Sequence, residues 1–137
     1  MAARWGNLIE VSNDKGPYKL AKFESDKHQF TAQIIDPYGM QGNPPKGSQC
    51  LLIPVDGDEG KMIAFVMPPP KDRVDALKAG ETAYKNHVAG QQTTFTEDGD
   101  IVTTASGKHT ETFGGEHVEN IGGDKRITTG GVVYINC

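Results

Sequence analysis

The sequence predicts an all-β protein: an N-terminal OB-fold-like Greek-key barrel followed by a short intertwined trimeric β-helix. Three observations lead there. Residues 1–80 break into short apolar runs separated by Gly, Pro, Asn and Asp turns. No segment carries a sustained helical period; the one helix candidate, Asp72–Ala79, is short and is stopped by Gly80. The tail repeats every eight residues, with Gly99, Gly107, Gly115, Gly123 and Gly131 in one phase.

The barrel strands are read in order. Asn7–Val11 is a first strand, ended by the turn Asn13-Asp14-Lys15-Gly16-Pro17. Tyr18–Glu24 alternates without declaring which face is apolar, and Gln29–Ile35 follows. Asp36-Pro37-Tyr38-Gly39 and Gly42-Asn43-Pro44-Pro45-Lys46-Gly47 form a stiff connection, because proline fixes φ and glycine permits the reversals. Gln49–Val55 and Lys61–Met67 are two apolar strands joined by a hairpin turn that starts at Asp56-Gly57. Pro68-Pro69-Pro70 ends the barrel. Residues 81–105 read as a neck of three strands, Glu81–Tyr84, Gln92–Thr96 and Ile101–Thr104, with turns at Ala89-Gly90-Gln91 and Asp98-Gly99-Asp100.

The tail, 106–137, carries the strongest signal. The last three phased glycines are doublets, Gly114-Gly115, Gly122-Gly123 and Gly130-Gly131. Two residues before the phased glycines stand Ala105, Phe113, Ile121 and Thr129. Eight is neither a helical nor a coiled-coil period, and the stretch is rich in Thr, Val and Ile, which suits strands. One octad, at about 3 Å per residue, is too short to supply three sides of a coil. Three chains can each supply one side and pair one another's edges. Glycine is expected at the repeated turn for positive φ and for close approach of neighbouring backbones. The alternative is a flexible glycine-rich tail, which the apolar residues in register oppose.

Composition narrows the function. The net charge is −4, from 14 Lys and Arg against 18 Asp and Glu, so the basic footprint of a nucleic-acid partner is lacking. No run of about 18 apolar residues is present. Met1–Gly6 lacks the apolar core of a secretory leader, which points to synthesis and assembly in a cytoplasm. Cys50 and Cys137 are too few for a disulfide framework, and Cys50, in an apolar run, is expected to be a buried thiol.

Pro37-Tyr38-Gly39 with Pro45-Lys46-Gly47, then Leu77–Glu81, Tyr84, Gly90-Gln91 and Phe95-x-x-Asp98-Gly99-x-Ile101, resemble the baseplate central spike proteins of contractile-tailed phages. The likeness is to the Mu-like baseplate assembly protein V and the P2-like spikes, over roughly residues 30–105. The octads resemble the β-helix of T4-like and type VI secretion spikes. The resemblance implies a non-enzymatic homotrimer in the virion's tail baseplate. Its barrel would attach to a hub protein, and its helix would pierce the host outer membrane on contraction. Such spikes usually end in a His-x-His motif holding iron; this chain has none. Its apolar end, with Val133, Tyr134, Ile135 and Cys137, is therefore expected to meet a separate PAAR-like tip protein. Trp5 is a candidate for the hub interface, with a place in the barrel core as the alternative.

Other candidates have plainer readings. His109 and His117, eight apart, could bring three imidazoles each to a metal under threefold symmetry; their polar neighbours favour outward-facing side chains, and no cofactor is expected. Asp56, Asp58 and Glu59 lack the spacing of a calcium loop and fit a solvated turn. Glu97, Asp98 and Asp100 sit in a turn rather than flanking a cleft. His28 and His87 are expected at the surface. The competing functions are an OB-type module gripping oligosaccharide or single-stranded nucleic acid, a polysaccharide-cleaving β-helix enzyme, and the spike of a contractile bacteriocin or type VI-like machine.

Overall fold

A computed structural model describes residues 2–13, 15 and 17–135. Five strands close into a barrel: β1 (Arg4–Asn13), β2 (Leu20–Ser25), β3 (His28–Ile34), β4 (Gln49–Val55) and β5 (Asp58–Met67). Their order is β1-β2-β3-β5-β4, and β1 pairs with β4 to complete the ring. All pairs are antiparallel except β3–β5, which is parallel. This is an OB-like order, and closing the sheet leaves it no free edge. The chain divides into two units, Met1–Gly107 and Lys108–Cys137.

Alternation drives the barrel. Ala21 and Phe23 of β2, Ala32 and Ile34 of β3, Cys50 and Leu52 of β4, and Met62 and Ala64 of β5 all point inward with Leu8 of β1. That settles the face of β2, which the sequence left open: Leu20 and Lys22 point away from the core. β1 departs from strict alternation. Leu8 pairs Phe23 and Glu10 pairs Lys22, so Ile9 is an extra residue, and the register slips again between Val11 and Asn13. Such bulges bend a strand, which a small barrel needs. Gly6 is buried for a steric reason: a Cβ there would lie 3.0 Å from the Glu24 carbonyl oxygen and 3.1 Å from Leu52 Cδ1.

Two tight hairpins set the registers. At β4–β5, Asp56 and Gly57 both have positive φ, the geometry of a two-residue primed turn. The turn is shorter than the five residues expected, because Asp58 and Glu59 already belong to β5 and Asp58 Oδ1 accepts the Gly60 N–H at 2.8 Å. At β2–β3 the same turn is made by Asp26 (φ 50°) and Lys27 (φ 66°), without glycine. The left-handed conformation costs an L-residue about 1–2 kcal/mol. Lys27→Gly is therefore expected to stabilise the barrel by about 0.5–1 kcal/mol after its entropic penalty. An unchanged urea midpoint would argue that Lys27 is unstrained.

The connection between β3 and β4 contains no helix. Gly39 and Gly47 supply positive φ at its two turns. Leu8 N–H donates to Ser48 O and Gly47 N–H to Leu8 O, so β1 holds the second turn directly. Ser48 is fully buried and donates to Pro45 O at 2.8 Å, which satisfies its hydroxyl. Lys19 Nζ reaches Asp36 Oδ2 at 2.9 Å and Gly42 O at 2.6 Å, tying the first turn down. The turn expected at 13–17 falls partly on Asp14 and Gly16, outside the described residues.

The one helix candidate, Asp72–Ala79, which the sequence allows to be no more than a turn, forms no α-helix. A single 3-10 turn, Pro70–Asp72, follows the prolines, and Ala76 at φ 59° interrupts any continuation. The neck is a three-stranded antiparallel sheet: β6 (Thr82–Lys85), β7 (Gln92–Phe95) and β8 (Ile101–Thr104). Gly90 and Gly99 take positive φ in its two turns, and Asn86 Oδ1 accepts the Val88 N–H at 2.9 Å. Glu81 ties linker to neck. Its carboxylate accepts N–H bonds from Lys78 at 3.0 Å and Glu97 at 3.3 Å, which hold its pKa below the usual carboxylate range. His87, expected at the surface, is half-buried in the β6–β7 turn.

Over 105–135 the chain contains no strand, so a β-helix is not present in the single chain. The physical reason is that a β-helix needs ladder partners, and among the described residues this segment makes no backbone-to-backbone hydrogen bond.

Candidate functional site

The tail keeps one regularity without strand pairing. The backbone bends at Ser106-Gly107, Gly114-Gly115, Gly122-Gly123 and Gly130-Gly131, with no regular secondary structure between them. The bends recur every eight residues, in phase with the glycines. The glycines themselves correct one expectation. Gly99 has positive φ (90°), as a hairpin turn requires, but Gly107, Gly115, Gly123 and Gly131 do not. A Cβ at Gly107, Gly114, Gly115, Gly122, Gly123 or Gly130 would meet nothing within 4 Å. Neither backbone conformation nor crowding within one chain calls for glycine there.

The apolar residues of the repeat have no cover in the single chain. Phe113, Val118, Ile121, Ile127, Val132, Val133, Tyr134 and Ile135 are all exposed. Ordinary surfaces scatter such residues singly; here eight fall within one short segment. Cys137 lies outside the described residues.

His109 and His117 occupy equivalent places in successive octads and make equivalent contacts. His109 Nε2 lies 3.0 Å from Glu111 Oε1, and His117 Nε2 lies 3.3 Å from Glu119 Oε1. The Phe113 and His117 rings meet edge-on with centroids 4.1 Å apart. Glu119 also pairs with Lys125, and Lys125 is the main reason its carboxyl stays below the usual range. Among the described residues no three His, Cys, Asp or Glu side chains converge in the single chain. The sequence did not reveal the Glu partners, although their constant offset of two from each histidine was visible.

In the barrel, Trp5 is 65% exposed and does not join the core. It stands on the outer face beside Leu51 of β4, which in turn pairs Phe65 of β5. Phe65 is exposed, so three neighbouring strands present one outward apolar row. Neither Leu51 nor Phe65 could be assigned to it from sequence, because the row exists only once the registers are known. Trp5 also borders a shallow open hollow of about 230 Å³ between Asn7, Glu24, Asp26 and Gln49.

Cys50 is buried against Gly6, whose N–H points at its sulfur, and burial pushes its thiol up to about 11 from an ordinary 9.0. A thiol held neutral this way is inert at physiological pH. Between about pH 9 and 11 the unfolded chain gives up this proton before the folded one does, so stability falls as pH rises through that window. Cys50→Ala is expected to flatten that part of the stability profile. Equal slopes in urea unfolding of the two proteins would show that Cys50 does not set it.

The remaining candidate residues make structural contacts. Glu97 pairs with Lys78, and Asp98 and Asp100 sit in the β7–β8 turn, where Asp100 N–H donates to Thr96 Oγ1. His28 is exposed at the end of the β2–β3 turn. No protein-family model matches the chain, and no curated protein matches it.

Proposed function

We propose that this chain is the subunit of a homotrimeric, non-enzymatic spike, of the kind found at the centre of contractile phage baseplates. One observation carries the reading: a segment bent every eight residues that leaves its backbone unpaired and its apolar side chains uncovered. Unpaired backbone of that kind gains most from neighbours bent at the same spacing, and three copies can supply a closed set of them. Closure also removes the open edges that invite uncontrolled association.

In this reading residues 106–137 of three chains interwind as a short triple-stranded β-helix, and the glycines sit where neighbouring backbones approach. A shaft of that kind is stiff, because bending it breaks many ladder bonds together, and stiffness is what delivering force through an outer membrane demands. The barrel serves as the base. Its outward row of Trp5, Leu51 and Phe65 is the surface offered to a hub protein, since buried Trp anchors dominate many interfaces. The exposed apolar run Val132–Ile135 is the surface offered to a small tip protein. The assembly would reside in the virion baseplate.

Sedimentation equilibrium tests this directly. A trimer of about 44 kDa, three times the 14.8 kDa chain, is expected. A 14.8 kDa monomer whose residues 106–137 are cut rapidly by proteases would sink the reading.

A further inference from the structure

The side-chain contacts within the tail single out one of its two faces. Each hydrogen bond, ion pair or ring contact between side chains described there joins odd-numbered residues: His109 with Glu111, Phe113 with His117, His117 with Glu119, and Glu119 with Lys125. These contacts, at offsets of two, four and six, bring odd-numbered side chains together, as in a strand, where alternate residues share a face. The Phe113–His117 contact crosses the Gly114-Gly115 bend, and the Glu119–Lys125 pair crosses the Gly122-Gly123 bend. An eight-residue period is even, so the bends preserve the face instead of swapping it. The stripe also holds Ile121, Ile127 and Val133, whereas the opposite face over 108–129 carries Val118 among Lys108, Thr110, Thr112, Glu116, Asn120, Asp124, Arg126 and Thr128.

We propose that this stripe is the face with which the chain binds two further copies of itself, so that Phe113, Ile121 and Ile127 and the two His–Glu pairs line the interior of the shaft. The inference rests on the spike reading and adds the face to it. A copy of the same chain is the fitting occupant for two reasons. A ladder partner whose bends came at any other spacing would lose register within one or two octads. The stripe is also self-complementary in charge, with two Glu facing Lys125 and two imidazoles. Each of these polar groups already has one partner on its own chain, which lowers the cost of enclosing it. The interior is therefore layered, with apolar rungs between ionisable ones.

Glutamate substitutions on the two faces separate the possibilities. Phe113→Glu and Ile121→Glu, on the stripe, are expected to reduce the sedimenting mass from about 44 kDa to that of the 14.8 kDa chain. Val118→Glu and Thr110→Glu, on the other face, are expected to leave the trimer. Peptide mapping of Cys50 protection against a thiol reagent confirms in each variant that the barrel is folded. If the unsubstituted chain is itself monomeric, the spike reading and this inference both fall. If it is trimeric and the Val118→Glu variant dissociates while Ile121→Glu does not, or both faces respond alike, the face assignment alone is overturned.

Discussion

Phe23→Ala is expected to remove about 3–5 kcal/mol from the stability of the barrel, the range found when a buried phenylalanine ring is deleted. Phe23 is fully buried on β2, between the strands that carry Leu8 and Phe30 in its own register, and it is among the largest wholly enclosed side chains. Its neighbours Ala21 and Ala32 are too small to move into the space it would leave. Small domains hold only about 5–15 kcal/mol in total, so the loss is a large fraction of what a barrel of this size has. Urea unfolding followed by far-UV circular dichroism measures it, with Phe65→Ala as the companion. Phe65 lies on the outer face and is expected to cost the isolated chain under about 1 kcal/mol. Equal losses for the two variants would mean that the barrel core is not centred on Phe23.

Gly123→Val is expected to have the opposite profile, leaving the barrel's unfolding midpoint unchanged and abolishing the trimer. The geometry of one chain supplies the contrast. A Cβ at Gly123 meets nothing within 4 Å and the backbone there is not left-handed, so the single chain accommodates a side chain without strain. A cost can arise only from a neighbour that approaches the bend in the assembled state. Sedimentation of the variant beside the unsubstituted chain reads the effect. A variant trimer as stable as the parent would show that the glycines are not at a close approach, and the octad would need another explanation.

The barrel was legible in the sequence wherever turn chemistry is explicit. Asp56-Gly57 announces a primed turn, and the strands on either side lie where alternation puts them. Asp26-Lys27 makes the same turn without glycine and gives no such notice, since lysine rarely takes the positive φ that it has here. The inward face of β2 was hidden because Ala21 is small and Leu20, on the outside, is the larger apolar residue. β1 was read short, as Asn7–Val11, because the extra residue Ile9 and the slip after Val11 break the alternation that would mark its full length, Arg4–Asn13. Asp72–Ala79 has helix-forming residues, yet a proline run before it and a left-handed Ala76 within it prevail over propensity. In the tail the period was plain, since spacing is a property of one chain. The Glu111 and Glu119 partners of the histidines were not, since their contacts depend on how the chain bends between the glycines.

The position of Trp5 has an optical consequence. It is the chain's single tryptophan, and it lies outside the barrel, on the row it forms with Leu51 and Phe65. Its emission in the free protein therefore starts from a wet indole and has little further to shift when the core melts. Covering that row by another protein dries the ring and moves the emission toward the blue. The chain thus carries an intrinsic fluorophore that is nearly silent to its own unfolding and sensitive to docking.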